Sequence, residues 1–414
     1  MDLIRISTAG SVDDGKSTLI GRLLFDNNAL TIEQEELIRK KTEEKGLKDL
    51  DLSVLTDGLV AEREQGITID VANIYFSTKQ RKFIITDSPG HEEYTRNMVT
   101  GASTADTSII LVDARKGLQE QSHRHFYISH LLDISTVVFC VNKMDLVEYS
   151  EDTFLEIAVQ IRKMVNKVDP EKSIKIIPIS SLKGDNVVNK SDNTPWYTGQ
   201  TLDQYLHEIS TIDSEEKQQF RYDVQSIQHV QNDEFVDYRG YAGRVISGKI
   251  AVGDRITALP SGKASIVTEI RRFTEVKEEA VAGDSVSISL ADQIDISRGN
   301  LLTSDTNLPD DSGSFEATIV WMHDSPARLG SKLVLQAGSR EALTKIVSIK
   351  QKVDPISFTG TEGTDDICAN DIVEIELKTN KPTYLDSYKN NKSNGAFILV
   401  HPQTNHTVAI GFKK

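Results

Sequence analysis

Cysteine is almost missing from this chain. The two present, Cys140 and Cys368, stand far apart, and Cys140 lies in an apolar run that reads as a core strand. A disulfide is therefore not expected, and a reducing cytoplasm fits. Also missing is any apolar stretch long enough to cross a bilayer, and the amino terminus runs straight into a strand-like segment instead of a signal peptide, so neither membrane nor export is expected. An excess of positive charge is lacking too. With 47 basic against 62 acidic side chains the net charge is −15, which gives no support for wholesale binding to a nucleic-acid backbone and leaves room only for a local patch. What the chain does have is length: 414 residues exceed what one hydrophobic core serves, so two or three domains are expected.

The most informative stretch is Gly10-Ser11-Val12-Asp13-Asp14-Gly15-Lys16-Ser17-Thr18, which follows the apolar run Leu3 to Ile6 and precedes Leu19-Ile20. A strand, a glycine-rich bend and a helix start supply free backbone N–H groups and the positive end of a helix dipole, where the charges of a triphosphate are stabilised. Gly10 and Gly15 let the backbone curl around the phosphates. Lys16 is expected to reach the β- and γ-phosphates, and the Ser17 hydroxyl to take one Mg²⁺ position.

Downstream, Asn142-Lys143-Met144-Asp145 follows the apolar run Thr136 to Val141, which reads as a buried parallel strand. Guanine presents N1–H and N2–H₂ side by side, and the two carboxylate oxygens of Asp145 can accept both. Asn142 and the Lys143 stem are expected to flank the ring. Another strand, Ile174 to Ile179, ends at Ser180-Ser181-Leu182, placed to offer a backbone N–H to the guanine carbonyl oxygen. The expected ligands are GTP and GDP with Mg²⁺.

Hydrolysis needs a metal, a placed water and a sensor of the γ-phosphate. The strand Arg81 to Thr86 ends in Asp87-Ser88-Pro89-Gly90-His91. Asp87 is expected to hold magnesium through water, and the Gly90 N–H to contact the γ-phosphate. His91 is the candidate for orienting the attacking water; an exposed helix-start histidine is the competing reading, and its place directly after the sensor favours the catalytic one. Thr68, within Arg63-Glu64-Gln65-Gly66-Ile67-Thr68-Ile69-Asp70, is expected to close on Mg²⁺ and the γ-phosphate. Lys16, Thr68 and His91 form the expected catalytic set, and Ser17, Thr68 and Asp87 the metal set.

These residues resemble the translation-factor class of GTPases over essentially the whole chain. Asp13 to Leu24, Leu55 to Asp70, Tyr94 to Met98, Gly101 to Asp106, Leu182 to Val188 and Thr194-Pro195-Trp196-Tyr197 narrow the resemblance to the GTPase subunits of the bacterial two-subunit sulfate adenylyltransferases. Elongation factor Tu usually has His where Asp14 stands. Ser88 and Ser181 replace the Thr and Ala frequent among relatives, which the neighbouring backbone contacts should tolerate. The resemblance implies a partner subunit of the ATP-pyrophosphatase type that makes adenosine 5′-phosphosulfate and pyrophosphate from ATP and sulfate, driven by GTP hydrolysis on this chain. No SGGxDS-type loop and no HxxH or HxGH pair is found here, nor a fused adenylylsulfate kinase. The alternative is a translation elongation factor that delivers aminoacyl-tRNA to the ribosome.

The expected fold is an α/β P-loop GTPase domain, a parallel-rich sheet with helices on both faces, followed by two antiparallel β-barrels. The expected domains are 1–212, 213–308 and 309–414. Residues 27 to 66 read as an insertion with a solvated Glu- and Lys-rich helix, and Ser210 to Gln219 as a linker. β-branched runs at Ala242 to Ile246, Asp254 to Ala258, Ser265 to Ile270 and Ser285 to Leu290 suggest the first barrel, and residues 315 to 412 the second. Gly243 to Lys249 fits GxxxxGK, but Ile250 stands where Ser or Thr is required and the surroundings alternate like a strand, so it reads as barrel structure. His123, His125 and His130 lack the i, i+4 spacing of a zinc pair and read as ordinary, partly exposed histidines. Trp196 and Trp321 read as packed core more readily than as partner anchors.

Overall fold

The computed structural model describes residues 2–46, 49–55, 72–87, 95–210, 218–230, 238–363 and 365–414. The chain forms two compact units, Met1–Thr211 with Asp354–Thr359, and Ile212–Val353 with Gly360–Lys414.

The first unit is built on six strands: β1 (Asp2–Ala9), β2 (Ala72–Ser77), β3 (Arg81–Asp87), β4 (Thr107–Asp113), β5 (Thr136–Asn142) and β6 (Ile174–Pro178). Their order is β2-β3-β1-β4-β5-β6, and only the β2–β3 pair is antiparallel. Every residue of β4 is buried. Because successive side chains point to opposite faces, Ile109 and Leu111 join the core with Ile4, Ile6, Leu19 and Leu23, while the intervening Ile110 and Val112 are equally buried. The helices are α1 (Lys16–Asp26), α2 (Ile32–Glu44), α3 (Thr95–Ala102), α4 (Glu120–Leu131), α5 (Glu151–Val168) and α6 (Leu202–Glu208). α1 and α6 contribute Leu19, Leu23, Leu202 and Leu206 to that core, and α4 sets Phe126 against Phe139 of β5 at 6.0 Å between ring centroids. A sheet covered in this way presents the carboxyl ends of its strands as the open edge, where β1, β3, β5 and β6 all end. α2 is the solvated insertion helix. A Thr31–Gln34 capping box opens it, and only Ile38 and Thr42 are buried.

The second unit holds two closed antiparallel barrels of six strands each. In the first, the strands Arg221–Val230, Tyr238–Ser247, Arg255–Leu259, Lys263–Arg272, Ser285–Leu290 and Leu301–Ser304 pair round until Arg255–Leu259 meets Lys263–Arg272. In the second, Lys332–Ala337 and Arg340–Asp354 close the ring made with Ser314–Trp321, Ile372–Thr379, Ala396–Val400 and Thr407–Lys413. Closure leaves no unpaired sheet edge in either ring. The GxxxxGK look-alike lies in the first barrel. A Cβ on Gly243 would stand 2.0 Å from the Asp223 carbonyl of the neighbouring strand, so this glycine admits close strand packing and cradles nothing. Trp321 is buried, with its indole N–H donating to the Ser325 carbonyl at 3.1 Å. Among the described residues no helix is long and apolar enough to cross a membrane.

Candidate functional site

β1 ends at Ala9 and α1 starts at Lys16, leaving Gly10 to Gly15 as the bend. Gly15 caps the helix at φ 96°, ψ 30°, where a Cβ would stand 2.5 Å from Asn142 Nδ2; both the left-handed backbone and the crowding call for glycine. The bend is braced from within, the Ser11 N–H donating to Asp14 Oδ2 at 2.7 Å and the Asp14 N–H to the Ser11 carbonyl at 3.2 Å. α1 carries no side-chain cap and no acidic residue in its first turn, so its first N–H groups and positive end suit an anion.

Lys16 is buried, and its ammonium donates to the Gly10 carbonyl at 2.9 Å and the Ser11 carbonyl at 3.1 Å. Burial lowers its pKa, opposed by the nearby charges of Asp87, Asp14 and Asp13. An ammonium has three donors, and two are used here. The Ser11 hydroxyl is buried with no partner among the described residues, as is Asp14 Oδ1, and burial raises the Asp14 carboxyl above its usual range. Ser17 is half-buried in the first turn of α1. Asp87 is buried at the end of β3, with Thr8 Oγ1 3.4 Å from its Oδ1. A spare ammonium donor, an orphaned hydroxyl, an open helix start and a buried carboxylate fit a triphosphate with its divalent cation. Val12 and Asp13 complete the bend, and Thr18 lies in the first turn of α1. Thr68, Ser88, Pro89, Gly90 and His91 lie outside the described residues.

At the base end, Asn142 is buried and its amide is committed on both sides. Nδ2 donates to the Asp14 carbonyl at 2.7 Å, and Oδ1 accepts from the Ser181 N–H at 2.9 Å and hydroxyl at 3.0 Å. The residue fastens the phosphate bend to the loop after β6. Lys143 donates to the Asp13 carbonyl and pairs with Asp113 Oδ2 at 2.9 Å. Asp113, at the end of β4, also binds Arg115 at 2.7 Å. Burial pushes the Asp113 carboxyl up, but the hydrogen bonds from Arg115 and Lys143 outweigh it and hold it well below the carboxylate range. Asp145 Oδ1 accepts the Ser180 hydroxyl at 2.7 Å, which fixes the carboxylate plane and leaves capacity at the second oxygen.

The loop carrying Ser180, Ser181 and Leu182 is itself held by residues of the subfamily motifs. Asp185 accepts the Tyr149 hydroxyl at 2.7 Å, and Asn186 Nδ2 donates to the Pro178 carbonyl and Thr194 Oγ1, both at 2.9 Å. Trp196 donates its indole N–H to the Tyr149 carbonyl at 3.1 Å. Sequence reasoning missed Arg22 and Asp113: a basic residue inside a helix and an acid ending a strand read as ordinary surface and strand-end chemistry. Among the described residues no cluster of three His, Cys, Asp or Glu could hold a metal. His125, expected to be partly exposed, is buried.

The family model described as the elongation factor Tu GTP binding domain matches residues 1–210, and that of the GTP-eEF1A C-terminal domain-like family matches residues 314–413. A solved structure of sup35 complexed with GMPPNP aligns with 100% of this chain and 93% of its own at a TM-score of 0.45 and 22% identity. Over 413 residues, 99% of this chain and 85% of the relative, the sequence is 45% identical to sulfate adenylyltransferase subunit 1 of Bacteroides fragilis. Over 412 residues, 99% and 86% of the two chains, it is 45% identical to the Psychromonas ingrahamii protein of the same name. The chain belongs to the sulfate adenylyltransferase subunit 1 family. As a member of the subunit 1 family it is a GTPase that binds guanine nucleotide. The translation-factor reading gives way, since identity at this level runs through both units. A subunit 1 also implies a partner subunit.

Proposed function

We propose that this chain binds GTP with magnesium at the carboxyl edge of the β1–β6 sheet and hydrolyses it to GDP and phosphate. The hydrolysis drives ATP and sulfate to adenosine 5′-phosphosulfate and pyrophosphate on a partner subunit of the ATP-pyrophosphatase type. The observation that carries this reading is the coincidence of whole-chain likeness to subunit 1 proteins with a continuous hydrogen-bonded path from Asp14 through Asn142 to Ser181. That path fits one ligand with phosphates at one end and a base at the other.

In this reading Lys16 and the N–H groups of Gly10 to Thr18 hold the phosphates, and Asp145 reads the guanine donors. The Ser17 hydroxyl, Thr68 and Asp87 hold magnesium, which neutralises charge on the phosphate oxygens. Gly90 senses the γ-phosphate and His91 orients the attacking water. The deciding experiment reconstitutes the chain with its partner and follows both reactions at once. Partner, ATP and sulfate together should raise GTP turnover, and ribosomes with charged tRNA should not. Replacing His91 by Ala should leave GTP affinity near normal and lower hydrolysis and product formation in step; product formation undiminished while hydrolysis stops would refute the coupling.

A further inference from the structure

The loop after β6 is expected to meet the base, and Asn142 and Asp145 hold its Ser180 and Ser181, yet neither explains how the next peptide, Ser181–Leu182, is aimed. Arg22 supplies the explanation. It sits six residues after Lys16 on α1, about 9 Å along the axis at 1.5 Å per residue, and its side chain is only 11% exposed. Its Nε donates to the Ser181 carbonyl at 3.1 Å, its Nη2 to the Leu182 carbonyl, and its Nη1 pairs with Asp26 Oδ1 at 3.2 Å. Each of the three guanidinium nitrogens thus has a partner, two consecutive peptide carbonyls and one carboxylate. Gly184 completes the fit, because a Cβ there would meet Asp26 Oδ2 at 3.3 Å and Arg22 Cδ at 3.5 Å, in a residue already at φ 87°.

The Ser181 carbonyl and the Leu182 N–H belong to one planar trans peptide, in which the two bonds point in opposite directions. Gripping the carbonyl from α1 therefore fixes where the Leu182 N–H points. The other N–H groups nearby are committed, Ser181 to Asn142 Oδ1 at 2.9 Å, Lys183 to Ser180 Oγ at 3.2 Å and Gly184 to the Ser180 carbonyl at 2.8 Å. Among the described residues the Leu182 N–H has no hydrogen-bonded partner.

We propose that Arg22 is a positioning residue for guanine recognition: it turns the Ser181–Leu182 peptide so that the Leu182 N–H meets the guanine carbonyl oxygen, tying base recognition to the helix that begins at the phosphates. The inference rests on the guanine site proposed above. It predicts an effect confined to one atom of the base.

The test measures affinity for GDP and for 2-aminopurine riboside diphosphate, which lacks that carbonyl oxygen together with the N1–H that faces Asp145, in the full chain. Arg22→Ala should weaken GDP about tenfold, the scale of one hydrogen bond, and the analogue less than about twofold, so the preference for GDP narrows about fivefold or more while the part owed to the N1–H on Asp145 remains. Arg22→Lys, which keeps charge and stem but cannot bridge two carbonyls, should give an intermediate preference and serves as the probe should the alanine variant fold poorly. Parallel weakening of both nucleotides, or a preference equal to that of the parent in both variants, would overturn the role of Arg22. A parent chain that binds both nucleotides alike would instead refute the guanine assignment, before any substitution is made.

Discussion

At the scale of single residues, the site is held by groups whose environment costs them something. His125 on α4 is 2% exposed and its Nδ1 has no partner among the described residues. Burial, with the charges of Lys16 and Arg124, pulls its pKa down to about 3. The unfolded chain takes up this proton near pH 6.5, whereas the folded chain refuses it until about pH 3. Stability is therefore fully present above about 6.5 and falls as the medium is acidified, by up to about 1.4 kcal/mol per pH unit from this one group. Urea denaturation at pH 7 and pH 5 should show His125→Leu losing less stability over that interval than the parent. Equal losses would mean that His125 is not desolvated as described. Little of this is legible in the sequence: three histidines on one helix read as partly exposed, and periodicity alone does not reveal that α4 buries one of them within range of the Lys16 charge.

At the scale of elements, α1 does the most positioning. Its start meets the phosphate bend, its middle carries Arg22, and Gly21 between them lets the 3₁₀ turn Leu52–Leu55 approach so closely that a Cβ would stand 2.3 Å from the Leu52 carbonyl oxygen. That turn follows Asp51, pinned by Ser53 and Lys45 at 2.6 Å each, with the Asp51 N–H donating to Thr42 Oγ1 at 3.0 Å. The insertion is thus fastened to α1 just before the stretch containing Thr68. Helix propensity alone makes Gly21→Ala stabilising by about 1 kcal/mol, whereas overpacking against backbone costs about 1–3 kcal/mol. The net change should be destabilising, seen as a lower urea midpoint with unchanged slope, and a raised midpoint would show that the close approach is not real. The glycine bend Gly10 to Gly15, the stretch Asn142 to Asp145 and the main strands can be read from the sequence because each is local, a glycine bend between two periodicities or a short motif at the end of an apolar run of strand length. Arg22 could not, because its partners lie 159 and 160 residues away and a basic residue in a helix is ordinarily solvated. The edge strand β2 was equally silent, its half-buried alternation being too weak to stand out.

At the scale of the molecule, the second unit is held together by buried charge. Arg221 of the first barrel binds both oxygens of Asp386 at 2.9 Å, and Arg340 of the second donates to the Thr383 carbonyl at 2.8 Å and lies 3.9 Å from Asp223 of the first. Asp223 also accepts the Ser339 N–H at 2.8 Å, and Asn391 Nδ2 donates to the Ser247 hydroxyl at 2.8 Å. Burial pulls the Arg340 guanidinium down to about 10, with Asp223 and Asp386 opposing it. Removing one partner from such a set strands the other, at a cost of about 3–5 kcal/mol. Arg340→Met should therefore lower the melting temperature of the chain measured by calorimetry, and adding Asp223→Asn should recover part of the loss. A double variant no better than the single one would show that the two residues act independently. The arrangement also has a mechanical consequence. A junction that is both buried and ionic has few alternative seatings, because sliding by one residue would part both guanidiniums from their carboxylates. Any docking protein that takes hold of one barrel would feel the resistance of both, as a single solid handle.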